Sequence, residues 1–398
     1  MALGSTHEVF SRWRWATQGM PDGGGGALPP HWLTGAWYRP IFRGGGKETT
    51  DATEACVNLV TPSIFVDIRI PTIRDRMLHR AAQGSNSSQD GERDPQTEAL
   101  QMRLLARQHA FGGYGRFSCD TARYEGSTSD TQVHCTRHHA IDWNYLGKGR
   151  PRPNRWGVVA LLGKCGDVHN INEWREDSFA TGDDGRPYYY EIWRRLPSAM
   201  SVAFAPSASN LLLAMRTVGT VTEESSRDTI LVASGGRFGF VSTAIGTRAR
   251  EMRARAFALG ASSRAAAVDA AISLGDLELA RWLVYDDVRA GHGLVSACST
   301  GTAVSAWRIE AALQPINEGR TLAAALLAAD SSGIESHSDE AIKANIAIAE
   351  KDWCSFLMSI EPVGITSTPN ERLGQPRTVH IAGIKYELFE CSHATRSQ

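Results

Sequence analysis

The stretch Val57–Pro71 (VNLVTPSIFVDIRIP) constrains the fold of this chain more than any other. Phe65, Asp67 and Arg69 alternate with Val66, Ile68 and Ile70, which is the period-two pattern of an extended strand. One face is apolar throughout, and the other carries an acid and a base two residues apart. Such a ribbon suits an antiparallel sheet rolled around a polar or amphipathic cavity, of a size that fits a small molecule. The pattern names neither a ligand nor a reaction.

The chain has 398 residues, more than one minimal domain needs and enough for two. Its formal net charge is −1, so no overall electrostatic pull toward nucleic acid or an acidic membrane is expected. The local run Arg248–Arg255 (RAREMRAR) reads as a solvated helix face. Seven cysteines at positions 56, 119, 135, 165, 298, 354 and 391 show no CxxC spacing. They argue against a disulfide framework or a zinc site and for free thiols in a reducing compartment. The sequon Asn86-Ser87-Ser88 is read as fortuitous. No apolar run approaches the ~18 residues of a membrane span. The N-terminal residues lack a secretory apolar segment, so a cytoplasmic location is expected. Arg12 and Arg14 leave a mitochondrial presequence as the weaker alternative.

Residues 1–30 read as an N-terminal arm, bearing Phe10, Trp13 and Trp15, followed by a Gly/Pro linker. Strand-like runs then follow at the spacing of an all-β domain: 31–42, 55–60, 64–70, 131–143, 156–162, 169–175 and 188–196. One helix is expected among them at Pro95–Ala110, with Leu100, Leu104 and Leu105 as its apolar stripe and Gly112-Gly113 as its stop. After Pro197 the β pattern resumes at 210–218, 229–244, 279–288, 294–299, 303–313, 353–360 and 379–390. Helical insertions are expected near 248–259 and 321–351. The expected organisation is thus a first β domain over 31–197 and a second over 198–398. No βαβ alternation is present, which disfavours a doubly wound sheet.

Several residue sets resemble a poorly characterised lipocalin-like family of bacteria and fungi. They are Trp32-Leu33, Gly35 and Trp37-Tyr38-Arg39, then Thr61-Pro62-Ser63 with Phe65 and Asp67–Pro71. Others are Leu105–Gln108 with Phe111-Gly112-Gly113, His138–Trp143, Tyr190–Arg195 and, more loosely, Trp307-Arg308-Ile309. The resemblance implies a mainly β fold of two lipocalin- or calycin-like antiparallel barrels with helical insertions. It supplies no catalytic residues to carry over. The family's fungal members include a yeast protein named for interacting with a casein kinase, a label that belongs to those members.

Side chains inside a small barrel alternate with those outside. With Asp67 and Arg69 pointing inward, one registration also turns inward His138 and Asp142 from 137–143, and Glu191 and Trp193 from 188–195. Trp37 and Arg39 join them. The expected ligand contacts are therefore Trp37, Arg39, Asp67, Arg69, His138, Glu191 and Trp193. Acid/base candidates are Asp67, His138, Asp142 and Glu191. Against this stands a plainer reading, in which Asp67 and Arg69 form a structural ion pair and the histidines are satisfied core groups. His134, Cys135, His138 and His139 crowd together, but neighbouring strand residues face opposite ways and zinc spacings are absent, so no metal is expected. The tryptophans read as core fillers. Nothing basic interleaves with them as in a base-stacking platform, which excludes nucleic acid as the expected partner. There is no G-x-S-x-G, H-E-x-x-H or G-x-G-x-x-G. Gly44–Thr50 reads as a hairpin loop rather than a phosphate loop.

The leading expectation is a non-catalytic binder of a small, partly apolar or amphipathic molecule, of a protein partner, or of both, with no cofactor. A cofactor-free acid/base enzyme, with Arg69 holding an anionic group, is the alternative. A third reading is an adaptor subunit that uses the N-terminal arm and the 321–351 insertion as contacts.

Overall fold

Closure of a sheet on itself organises the first half of the chain. In the computed structural model the strands run β1 (Gly35–Gly44), β2 (Lys47–Thr50), β3 (Glu54–Val60), β4 (Phe65–Pro71), β5 (His109–Ser118), β6 (Gln132–Asp142), β7 (Asn154–Ala160), β8 (Glu173–Asp177) and β9 (Tyr190–Arg195). Their order is β2-β1-β3-β4-β5-β6-β7-β8-β9, antiparallel throughout, and β1 also pairs with β9. Trp37 lies opposite Arg195 and Phe42 opposite Glu191 across that seam. Eight strands therefore form a closed barrel with no free edge, and β2 prolongs one end of β1 as a hairpin. The structure describes residues 29, 31–44, 47–50, 54–83, 95–118, 132–146, 154–161, 171–182, 185–196, 211–217, 227–234, 236–295, 307–318, 320–322, 347, 351–352, 355, 377–381 and 384–393. Nearly all of the N-terminal arm, the stretch 84–94, nearly all of the 321–351 insertion and of the expected strand at 353–360, and Cys119, Cys165, Cys298 and Cys354 lie outside the described residues.

The described residues of the second half form a second sheet. Strands β10 (Leu211–Thr217), β11 (Arg227–Ser234), β12 (Arg237–Ala244), β13 (Val288–Leu294), β14 (Arg308–Ala312), β15 (Arg377–Ile381) and β16 (Ile384–His393) form one antiparallel sheet in the order β14-β13-β12-β11-β10-β16-β15. Among the described residues its two edge strands do not pair, so the sheet is open. Both of its faces are apolar. Ile230, Val232, Val241 and Ala290 pack on Leu59, Val66, Ile68 and Ile141 of the barrel wall. The opposite face carries Leu213, Leu231, Phe238, Phe240 and Ile309, clustered with Trp307 and Leu322. Phe238 stacks on Trp307 at 5.2 Å.

Strand β4 is consequently buried on both sides. Val66 and Ile68 meet the second sheet, while Phe65 and Asp67 point into the barrel. The sheets approach closely because Gly239 carries no side chain: a Cβ there would sit 2.6 Å from Leu59 Cδ1.

Helices fill the remaining flank. They are α1 (Arg74–Gln83), α2 (Pro95–Leu105), α3 (Thr247–Ala258), α4 (Arg264–Ser273) and α5 (Leu277–Arg281), the last running into a π turn at Trp282–Asp286. Ser263 and Asp276 cap α4 and α5 by accepting from the amides of Ala266 and Leu279. The strand expected at 279–288 is thus helical; its apolar run packs against Ala267, Val268 and Ala271 rather than into a sheet. Helix α2 ends five residues earlier than expected, and its buried contacts are Met102 and Leu105, with Leu100 48% exposed. The arginine run is not a fully solvated face either. Arg253 is buried and donates to Asp287, which Arg264 also engages at 2.7 Å. Arg264 in turn donates to the carbonyls of Trp143 and Leu283, tying the helices to the barrel. Among the described residues no helix is long and apolar enough to cross a membrane.

The glycines expected to stop a helix lie instead inside β5. A Cβ at Gly113 would meet the carbonyl oxygen of His138 at 1.9 Å, so β5 and β6 can pair there only without a side chain. Gly113→Ala is expected to destabilise the fold by about 3 kcal/mol. Gly185→Ala, where the backbone has φ +72° but the surrounding space is open, is expected to cost about 1 kcal/mol. Denaturant unfolding of the two variants checks the contrast, which disappears if the sheet can shift to admit the methyl group.

Candidate functional site

Alternation along the barrel strands gathers an aromatic layer and an ionic layer in the interior. Trp174 and Trp193 are register partners on β8 and β9 and stack at 5.7 Å, and Trp37 from β1 meets Trp174 edge-on at 6.1 Å. The indole of Trp37 donates to the carbonyl of Leu33 at 2.8 Å. One step further along β9 lies Glu191, with 0% exposure. Its carboxylate accepts from Arg39 and, at 3.0 Å, from Arg69. Arg39 also reaches Glu54 at 2.8 Å. Arg69 forks onto both oxygens of Asp67 at 2.9 and 3.2 Å.

The charges shift one another strongly. Burial pushes the Asp67 carboxyl up, but the charge and hydrogen bonds of Arg69 outweigh it and hold the group below its ordinary value. Burial likewise opposes the charge on Arg69, and Asp67 with Glu191 keeps it firmly protonated. Glu176, opposite Glu191 in register, behaves differently. Burial first and the Glu191 carboxylate second raise it to about 8, so it is largely protonated at neutral pH. Burial raises Cys56 and brings Cys135 to about 12, which leaves neither thiol nucleophilic near neutrality.

Of the sequence-predicted residues, Trp37, Arg39, Asp67, Arg69, Glu191 and Trp193 come together as expected. His138 does not. Gly113 pairs with His139 and Gly112 with Ile141, so Ala140 is an extra residue in β6. The bulge reverses the alternation. Asp142 returns to the interior side, whereas His138 lies outside, stacked on Tyr114 at 4.6 Å, and burial with nearby Arg116 lowers it to about 4. His139 takes the interior place. Its Nδ1 bonds Asp142 at 2.6 Å and its ring stacks on Phe111 at 4.1 Å. Asp142 also accepts from the amide of Asn144, and its contacts with His139 and His109 overcome burial to hold it below the ordinary range. Ordinary strand alternation places His134 and His138 on one face of β6 and Cys135 and His139 on the other. Among the described residues no three of His, Cys, Asp and Glu converge as a metal set.

Sequence reasoning missed Asn58, Arg137, Glu176, Trp156 and Trp174. Glu176 and Trp174 share parity in the run EWRED, a signal that was legible; the interior face of β6 was not, because the bulge hid it. Four of these missed residues, together with His139 and the predicted Trp193, keep chemically open polar atoms. Both amide atoms of Asn58, Oε2 of Glu176, Nε2 of His139 and the indole nitrogens of Trp156, Trp174 and Trp193 are buried without a hydrogen-bond partner. Each such group costs roughly 1–3 kcal/mol if left so. The predicted candidates, by contrast, largely satisfy one another and act as the frame.

The raised Glu176 makes stability depend on pH. The folded state holds this proton more tightly than the unfolded chain, so stability falls as pH rises from 4.5 through about 8. Glu176→Gln removes that titration and is expected to recover roughly 2–4 kcal/mol at the upper end of the window. Asp228 in the second sheet, raised to about 7 mainly by burial, shares the window and leaves a residual slope. Thermal unfolding of both proteins at about pH 5 and about pH 8 checks it. Parallel profiles for wild type and variant would contradict it.

No family model and no curated protein matches the chain. A solved structure, that of the uncharacterized protein YLR301w from Saccharomyces cerevisiae, aligns with 89% of this chain and 98% of its own at 11% identity and a TM-score of 0.36.

Proposed function

We propose that this chain is a lipocalin-like, non-catalytic binding protein that takes a small, partly apolar molecule into its closed barrel. The observation that carries the reading is the set of buried, unpartnered polar atoms on Asn58, Glu176, Trp174 and Trp193, gathered around stacked indoles. A bound molecule with a flat apolar body and hydrogen-bonding groups would satisfy them, which is the usual division of labour in a ligand site. Binding is favoured over acid/base catalysis by the state of the acids. Asp67 and Glu191 are locked by arginines, Asp142 is held by His139, and His138 lies outside the barrel. The buried free thiols Cys56 and Cys135 suit a reducing, cytoplasmic setting. A docking role for the N-terminal arm or the 321–351 insertion draws no support from the described residues.

Intrinsic tryptophan fluorescence tests the reading, because Trp37, Trp174 and Trp193 report directly on the interior. Titration with fatty acids, retinoids and porphyrins is expected to give saturable quenching by at least one class, and Trp193→Phe is expected to reduce it. A flat response across all three classes would overturn the proposal.

A further inference from the structure

One cation of the barrel interior has no carboxylate within hydrogen-bond reach among the described residues. Arg137 is only 3% exposed. Its guanidinium lies over the ring of Phe65 at 4.3 Å and over that of Trp156 at 5.2 Å. Among the described residues its one ion-pair contact is Asp67 Oδ2 at 3.6 Å, beyond hydrogen-bond reach. Both oxygens of Asp67 already accept from Arg69. The thiol of Cys135 is a further polar neighbour and supplies no charge. Glu176 also faces Arg137, yet burial and Glu191 keep it largely protonated near neutral pH. The other interior arginines contrast with this. Arg39 holds Glu191 and Glu54, and Arg69 holds Asp67 and Glu191. Around this cluster the guanidiniums of Arg39 and Arg69 are hydrogen-bonded to carboxylates, whereas the nearest carboxylate oxygen to that of Arg137 among the described residues is at 3.6 Å. Arginine cannot shed its charge by deprotonation, so a buried guanidinium with no carboxylate at hydrogen-bond distance has donors to offer an anion.

We propose that Arg137 is the anchor for the carboxylate of a small aromatic or branched organic acid bound inside the barrel. The inference rests on the binding function proposed above and names the chemistry of that ligand. A single carboxylate balances a single guanidinium and matches its planar fork, whereas a dianion would place a second negative charge beside Asp67. Phe65 and Trp156 cover faces of the guanidinium and leave its edge as the donor surface. The unpartnered Oε2 of Glu176 and the indole nitrogens of Trp156, Trp174 and Trp193 are the neighbouring groups that an acid's oxygens would engage.

The test compares carboxylic acids with the primary amides of the same skeletons, which keep the shape and lose the charge. Aryl-acetic, indole-carboxylic and branched-chain acids and their amides are titrated into the full chain by calorimetry and tryptophan fluorescence. The acids are expected to bind at least tenfold more tightly than the amides. That preference is expected to vanish in Arg137→Met and to persist, reduced, in Arg137→Lys. Should Arg137→Met fail to fold, the wild-type comparison and Arg137→Lys still decide. Equal binding of acids and amides, or binding of neutral compounds alone such as retinol, would overturn the anchor and leave the binding function standing. Silence from every compound, retinoids and porphyrins included, would overturn both.

Discussion

The barrel is closed around Glu191. Its carboxylate, on the last barrel strand, accepts from Arg39 on the first strand and from Arg69 on β4, so one buried anion joins three strands across the interior. Hydrogen bonds between β1 and β9 make the seam, and this ion cluster fixes what the seam encloses. Removing one partner of such a cluster strands the other charges in a low-dielectric interior, at about 3–5 kcal/mol. Pairing therefore makes the barrel's geometry specific, since a register slip of one residue would move Asp67 and Arg69 on β4 away from Glu191 on β9.

The same strand that supplies Asp67 and Arg69 fastens the two halves of the chain. Val66 and Ile68, on its other face, join an apolar layer with Ile230, Val232 and Val241 of the second sheet. The polar interior and the apolar junction are thus two sides of one ribbon. The second sheet spends its faces differently. One packs on the barrel and the other carries Phe238, Phe240 and Trp307, and among the described residues the chain forms one closed barrel and a second sheet. The buried Asp287, shared by Arg253 and Arg264, links the helices to this junction through the carbonyl of Trp143.

The alternation in β4 and the inward faces of β1 and β9 could be read from sequence because period-two patterning survives wherever a strand is regular. Legibility failed where the backbone was irregular or the residue type misleading. The extra residue Ala140 swapped His138 for His139 and concealed Arg137, and no local composition marks a bulge of that kind. Gly112 and Gly113 read as a helix stop although they sit mid-strand, since the demand for a missing Cβ comes from β6 and the second sheet, both distant in sequence. The apolar run at 279–288 reads as a strand in sequence, but it packs against α4 as a helix. Glu176 was overlooked because its significance lies in facing Glu191, a cross-strand relation.

The framework residues and the open residues of the barrel are therefore distinct sets. Asp67, Arg69 and Glu191 satisfy one another, while Asn58, Glu176 and the indoles of Trp174 and Trp193 keep unpartnered polar atoms, and Arg137 has no carboxylate at hydrogen-bond distance among the described residues. A protein interior seldom leaves so many groups unsatisfied at one place unless something else completes them. A high-resolution crystal structure of the protein purified under native conditions tests this most directly. The account predicts ordered organic density inside the barrel, within hydrogen-bond distance of Arg137 and of the unpartnered atoms of Asn58 or Glu176. Side chains rotated to pair with one another around an interior holding nothing but protein and water would contradict it.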